Sequence, residues 1–203
     1  MSRFLPGLFL ALVFVFITGP AARLAGQDQP ATESDAEQIE NYKEQARRLV
    51  GFLEMILNTL GSDDVPTREK EVIINESYLK AFHDEDVQVE DDLDEEREMA
   101  TYKDVQAYLK DVDFFFTNVT FDYTVQEVMP MMNDEGQLFF KVTANRMISG
   151  LGVGGDSINN NQNRYIELNL DEEEQVLKIA SVYTTKLNLD AEMMSWWNGL
   201  SDT

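Results

Sequence analysis

Residues 101–128 read TYKDVQAYLKDVDFFFTNVTFDYTVQEV. Thr101 with Asp104 three positions on is a helix-start signature. Val105, Tyr108, Leu109 and Val112 then fall three and four apart, which puts them on one helical face. From Val119 the period drops to two: Val119, Phe121, Tyr123 and Val125 alternate with Thr120, Asp122 and Thr124, the pattern of a half-buried strand. A capped helix therefore runs into a long strand with almost no linker.

Upstream of this stretch the chain is helical. Ser34 with Glu37 forms a capping box. Ile39, Tyr42, Ala46, Leu49, Val50, Leu53, Ile56, Leu57 and Leu60 continue an apolar stripe over residues 34–60. Gly61 is the expected C-cap. Gly51, inside the helix, costs about 1 kcal/mol relative to alanine and so is expected to mark a close approach by another element. A second helix is predicted over residues 67–82, then a short strand at 87–89 and a charged connection over 91–99.

Downstream the chain is strand-like. The turn Asn133-Asp-Glu-Gly136 leads into a strand with Leu138, Phe140, Val142 and Ala144 on one face. Residues 150–163, rich in glycine and asparagine, are expected to form a loop. Strands follow at 165–170 and 176–187, the last carrying Leu177, Ile179, Val182 and Tyr183. Antiparallel hairpins connect these strands most simply. The end, residues 188–203, has helical character and carries Met193, Met194, Trp196, Trp197 and Leu200.

With 203 residues and 43% hydrophobic content, the chain fits one domain with a real core. Arg3, the apolar run from Phe4 to Ile17 and the small residues up to Gly26 have the layout of a secretory signal peptide. The run falls short of the ~20 residues that span a bilayer, so no stable membrane anchor is expected after cleavage. The predicted organisation is a signal peptide over 1–26, a flexible start over 27–35, an α+β domain over 36–187 and a helical tail over 188–203. There is no cysteine, which excludes disulfides, thiolate metal sites and thiol nucleophiles. An exported chain without disulfides is typical of bacteria, so the expected location is the periplasm, the cell surface or the medium. The net charge is −22. A field of that sign repels nucleic acid and anionic lipid and favours cations or basic partners.

The order helix, helix, short strand, helix, then four antiparallel strands is similar to that of the nuclear transport factor 2-like, or SnoaL-like, superfamily. Residues 82–89, FHDEDVQV, resemble that family's helix end, acidic turn and first short strand. Residues 103–109, KDVQAYL, resemble its G-x-x-A-I-x-x-F/L helix, with Tyr102 near the place of the usual glycine. Residues 118–128 resemble its first long strand, and 138–148, 165–170 and 179–183 the rest of its sheet. The chain also resembles the N-terminal module of secreted multidomain proteins of Bacteroidota type. The resemblance implies an α+β cone: three N-terminal helices packed on a curved, mainly antiparallel sheet around a conical cavity. Members of the family include cyclases, ketosteroid isomerases and epoxide hydrolases, and also non-catalytic dimerisation and ligand-binding modules, so the fold alone does not set the function.

The chemistry-bearing motifs are sparse. Gly150-x-Gly152-x-x-Gly155 matches a dinucleotide fingerprint, but no helix follows to receive a phosphate, and a hairpin turn is the better reading. The acidic run from Asp84 to Glu98 places oxygen donors as an EF-hand loop would, with Val89 where that loop needs glycine, and reads instead as a solvated acidic edge. His83 is the one histidine and reads as a surface residue; with no cysteine beside it, an ordinary zinc site is excluded. No metal site and no cofactor is expected. Tyr108, Phe121, Tyr123, Phe140 and Tyr183 are the candidate lining of a ligand pocket, or else core filling. Tyr123 and Asp122 lie on opposite faces of one strand, so they cannot act as a pair.

The expectation is an exported, non-catalytic binding or assembly module, with a homodimer, a protein partner or a small apolar ligand as its target. The alternative is a small isomerase-, cyclase- or hydrolase-type enzyme acting on an apolar ligand. A calcium-responsive interaction domain is the third reading.

Overall fold

The computed structural model describes residues 33–93, 99–171 and 173–184; for residues 33–35 only the backbone is described. The predicted signal peptide and C-terminal tail, and the Ser34 side chain of the capping box, lie outside it. Three helices, α1 (Glu33–Leu60), α2 (Thr67–Asn75) and α3 (Val105–Phe115), pack on one curved sheet. Its six strands are β1 (Gln88–Glu90), β2 (Tyr102–Asp104), β3 (Phe116–Met132), β4 (Leu138–Gly152), β5 (Ser157–Asp171) and β6 (Val176–Tyr183), in the order β2-β1-β6-β5-β4-β3. All neighbours are antiparallel except β1 and β6. This is the predicted α+β class, with the element order and curved sheet of a cone.

The core lies between α1 and the concave face. Ala46, Val50, Leu53, Ile56, Leu57 and Leu60 of α1 are all buried, as the stripe predicts. They meet Phe121 of β3, Phe140, Val142 and Ile148 of β4, Ile166 and Leu168 of β5, and Leu177 and Ile179 of β6. Each such side chain contributes on the order of 1.5–3 kcal/mol by leaving water. A register shift in β3 between Val125 and Glu127 changes which residues face inward: Phe121, Tyr123 and Val125 face the core before it and Val128 after it.

Polar side chains fix α1 to the outer edge of β3. The Asn58 amide donates to Phe121 O at 2.9 Å and accepts from Phe121 N at 2.7 Å. Glu54 accepts from Tyr123 N at 2.7 Å, and Gly61 O accepts from Val119 N at 3.0 Å. Four helical residues advance ~6 Å and two strand residues ~6.6 Å, so the two ladders stay nearly in step. At this same C-terminal end of α1, the buried Lys70 ammonium donates to Leu60 O at 2.7 Å and pairs with Asp113 at 2.8 Å, a cation placed at the helix's negative end.

Several local expectations are corrected. Residues 150–163 are not a loop: β4 and β5 run on through them, and only the short turn at 153–156 interrupts the pairing. Composition misled here, because Asn159, Asn161 and Asn163 point to the solvent side of a paired strand. The glycine fingerprint is indeed the hairpin turn, closed by Gly155 N to Gly152 O at 2.9 Å. The helix over 67–82 breaks at Glu76, and residues 77–80 form a 3-10 turn. The third helix is capped by Asp104, which accepts from Ala107 N at 2.8 Å, while Tyr102–Asp104 form the unforeseen β2. Gly61 is not a left-handed cap: its N–H continues the helical bond to Leu57 O, and a Cβ there would lie 2.6 Å from Val119 Cγ2. Close approach therefore requires Gly61. Gly51 has nothing within 4 Å of where its Cβ would be, so no element packs against it.

Candidate functional site: a buried charge cluster and a cleft in the cone

From the last residue of β1 the chain carries three consecutive carboxylates into the protein. Glu90, Asp91 and Asp92 are 5%, 6% and 9% exposed. This corrects the reading of the acidic run as a solvated edge, at least for these three. Buried carboxylates persist only with partners, and each has one. Glu90 accepts from the backbone N–H of Thr184 at 2.7 Å and from its hydroxyl. Asp91 pairs with Lys103 at 2.7 Å, and Lys103 also holds Asp111. Burial pushes the Lys103 pKa down, but its bonds to Asp111 and Asp91 outweigh this and leave it raised.

Asp92 is the centre of the cluster. It accepts from Tyr108 Oη at 2.9 Å and from the guanidinium groups of Arg146 and Arg164. Arg146 also donates to Asn160 Oδ1 at 2.7 Å, and Arg164 to Asn163 O at 2.8 Å. Both arginines are fully buried, at 0% and 1% exposure. The strand period puts them there. Arg146 continues the inward series Phe140, Val142, Ala144 of β4 and stands opposite Tyr123; Arg164 stands opposite Ala144, and Asn160 opposite Ile148. Arg146 Nε has no hydrogen-bond partner among the described residues. Burial, then the neighbouring Asp92 charge, raises the Tyr108 pKa well above its ordinary value. Burial raises that of Tyr123 too, and Arg146 pulls it back in part.

The five candidate pocket residues do not come together. Tyr108 and Tyr123 join the charge cluster. Phe121 packs against Phe116 with ring centroids 5.9 Å apart, and Phe140 against Tyr42 at 5.8 Å, both inside the core. Tyr183 stacks edge-on with Tyr102 at 6.4 Å, near β1. None of the five lines the cleft of about 340 Å³ that opens beside the β4–β5 turn. Its walls are Leu93, Phe115, Phe116, Val153 and Ile158, with Asp91, Asp156 and the turn glycines. His83 is exposed, 4.0 Å from Asp84, as expected of a surface residue. Among the described residues no group of three or more metal-ligating side chains converges.

Sequence reasoning missed Asp92, Arg146, Arg164 and Asn160. The signal was present for Arg146, a charge at an apolar position of an alternating strand. Arg164 and Asn160 lay around the stretch assigned to a loop, which hid their parity.

Chemically the cluster is a clamp. Asp92 is held by two cations and a hydroxyl, with its side chain 3% exposed. It ties together β1, α3, β4 and β5.

Fold and site together define a cone-fold α+β protein with an internal charge clamp and a separate, apolar-walled cleft. No protein-family model and no curated protein matches the chain. Solved structures similar to this chain include proteins of several kinds. One is a candidate scytalone dehydratase from Novosphingobium aromaticivorans DSM 12444 (11% identity, TM-score 0.47, 74% of this chain and 89% of that one). Others are ActVI-ORFA from Streptomyces coelicolor (12%, 0.45, 70% and 95%) and the association domain of CaMKII from C. elegans (10%, 0.43, 72% and 99%).

Proposed function

We propose that this chain is an exported, non-catalytic module that binds or assembles through its cone-fold domain, with the cleft beside the β4–β5 turn as its binding surface. The observation that carries this reading is the engagement of Asp92. The Asp92 carboxylate is committed to Arg146, Arg164 and Tyr108, which supports a part in holding the cone together over one in proton transfer. The apolar walls of the cleft and its volume, within the ~300–1,000 Å³ of small-ligand pockets, suit an apolar side chain or ligand. Export is supported by the layout of residues 1–26, and the lack of cysteine accords with a fold that needs no oxidative step.

The test incubates the chain with enolisable ketones in deuterated water and follows exchange at the α-carbon. Exchange at the buffer rate, unchanged in Asp92→Asn, is the expected result. Exchange above that rate that disappears in Asp92→Asn overturns the reading in favour of an isomerase-type enzyme. N-terminal sequencing of the exported protein is expected to begin at Gln27.

A further inference from the structure

The cleft holds one carboxylate that nothing engages. Two acids lie among its apolar walls, Asp91 and Asp156. Asp91 is held by Lys103 at 2.7 Å, with its side chain 1% exposed. Asp156 lies in the exposed β4–β5 turn, and its carboxylate has neither a hydrogen bond nor an ion pair among the described residues. Around it stand Phe115 and Val153, 48% and 66% exposed. Val153 N–H donates to Phe115 O at 3.0 Å, which fixes the turn to the end of α3.

The turn makes room for that carboxylate. A Cβ on Gly154 would lie 2.8 Å from Asp156 Oδ1, and one on Gly152 would lie 3.1 Å from each of the two carboxylate oxygens. Glycine at both places lets the carboxylate fold back over the turn and stand in the cleft wall; a methyl group there would push it aside.

An occupant that covers Asp156 strips water from an ionised group, which costs free energy unless the occupant supplies a partner. A neutral apolar ligand supplies none. An anion meets like charge from Asp156 and from a chain of net charge −22. A cation with an apolar body satisfies both halves of the cleft. We propose that the cleft takes a small primary amine with an aromatic body, whose ammonium donates to Asp156 while its ring packs on Phe115, Val153 and Ile158. The volume of about 340 Å³ suits one ring and a short linker. A single unengaged carboxylate in one concavity matches a single charge, where a basic protein segment would bring several. The inference rests on the cleft being the binding surface; it can fail while the module remains non-catalytic, because amine binding and ketone exchange are read separately.

The experiment titrates the processed chain, residues 27–203, with 2-phenylethylamine, with its neutral counterpart 2-phenylethanol and with the anion 3-phenylpropanoate, following calorimetry and amide shifts by NMR. Two variants accompany it, Asp156→Asn and Gly154→Ala, with far-UV circular dichroism confirming that each keeps the fold. The expected result is saturable one-to-one binding of the amine, with shifts confined to the β4–β5 turn and the end of α3. The alcohol and either variant weaken it by about tenfold, the worth of one charged hydrogen bond shielded from water, and the anion does not bind. Equal binding of alcohol and amine overturns the inference and leaves the cleft an apolar site. Amine binding that neither variant changes overturns it too, since it then reflects only the charge of the whole chain. So does the absence of saturable amine binding. Binding of an acetylated Phe-Lys peptide amide without binding of the free amine assigns the cleft to a protein segment and also overturns it.

Discussion

The interior of the cone and the rim of its cleft solve opposite problems. Inside, Arg146 and Arg164 are polar groups in an apolar place, and Asp92, Asn160 and Tyr108 answer them. At the rim, Phe114, Phe115 and Val153 are apolar groups in water, and nothing described answers them. The first arrangement is closed but for Arg146 Nε, which has no hydrogen-bond partner among the described residues. The second is open. The contrast teaches that the most conspicuous charges in this protein are engaged with one another, and that its unanswered surface is the less conspicuous, apolar turn.

The sharpest way to break that contrast is to unpair the interior. Asp92→Ala leaves two guanidinium groups buried without their carboxylate, and the expected loss is about 3–5 kcal/mol in urea unfolding. A loss below about 1 kcal/mol would mean that water reaches the arginines, and the cluster would have to be reconsidered as an open site. Next in size is Gly61→Ala, whose Cβ meets Val119 Cγ2 at 2.6 Å. It is expected to cost about 1–3 kcal/mol as overpacking, and Val119→Ala in the same chain should recover part of it.

High pH probes the cluster without mutation. Tyr108 ionises near pH 10 in the unfolded chain and at a higher pH in the fold, because burial and Asp92 oppose its anion. Above pH 10 the unfolded chain therefore binds fewer protons than the native one. Stability is intact below that pH and falls as pH rises toward the folded pKa, by about 1.4 kcal/mol per pH unit for one such group. Tyr108→Phe should reduce that slope in denaturant titrations at a series of alkaline pH values. The smallest effect belongs to the solvent side of α1. Gly51→Ala meets open space and should stabilise by about 0.8–1 kcal/mol, read as a raised urea midpoint with an unchanged m-value.

The fold was legible in the sequence wherever one period governed a long run. The stripe from Tyr42 to Leu60 and the alternation around Phe121 each announce an element and its buried face. Legibility failed where composition and pairing disagree. Asn159, Asn161 and Asn163 look like loop residues because they are polar, yet the ladder to β4 satisfies their backbone and their side chains project outward. The site was less legible than the fold. Asp92 sits in a run of acids whose other members include exposed residues such as Asp84 and Asp86, and only the course of the chain after β1 distinguishes it. The aromatic set was identified by type and parity, which describe core filling as well as a pocket. The cleft arises from a turn meeting a helix end, a juxtaposition that no local pattern encodes.

The bonds from α1 to β3 have a consequence for how this protein meets copies of itself. β3 is seventeen residues long and ends the sheet, and a bare edge of that length is a template for cross-molecular strand addition. Here Glu54, Asn58 and Gly61 engage the backbone of Tyr123, Phe121 and Val119 before any visitor can. Farther along, the irregularity near Gln126 and the missing N–H of Pro130 spoil the remaining register. The helix thus acts as the strand's second neighbour, and Glu54, Asn58 and Gly61 at its C-terminal end occupy backbone positions that strand addition from this side would need.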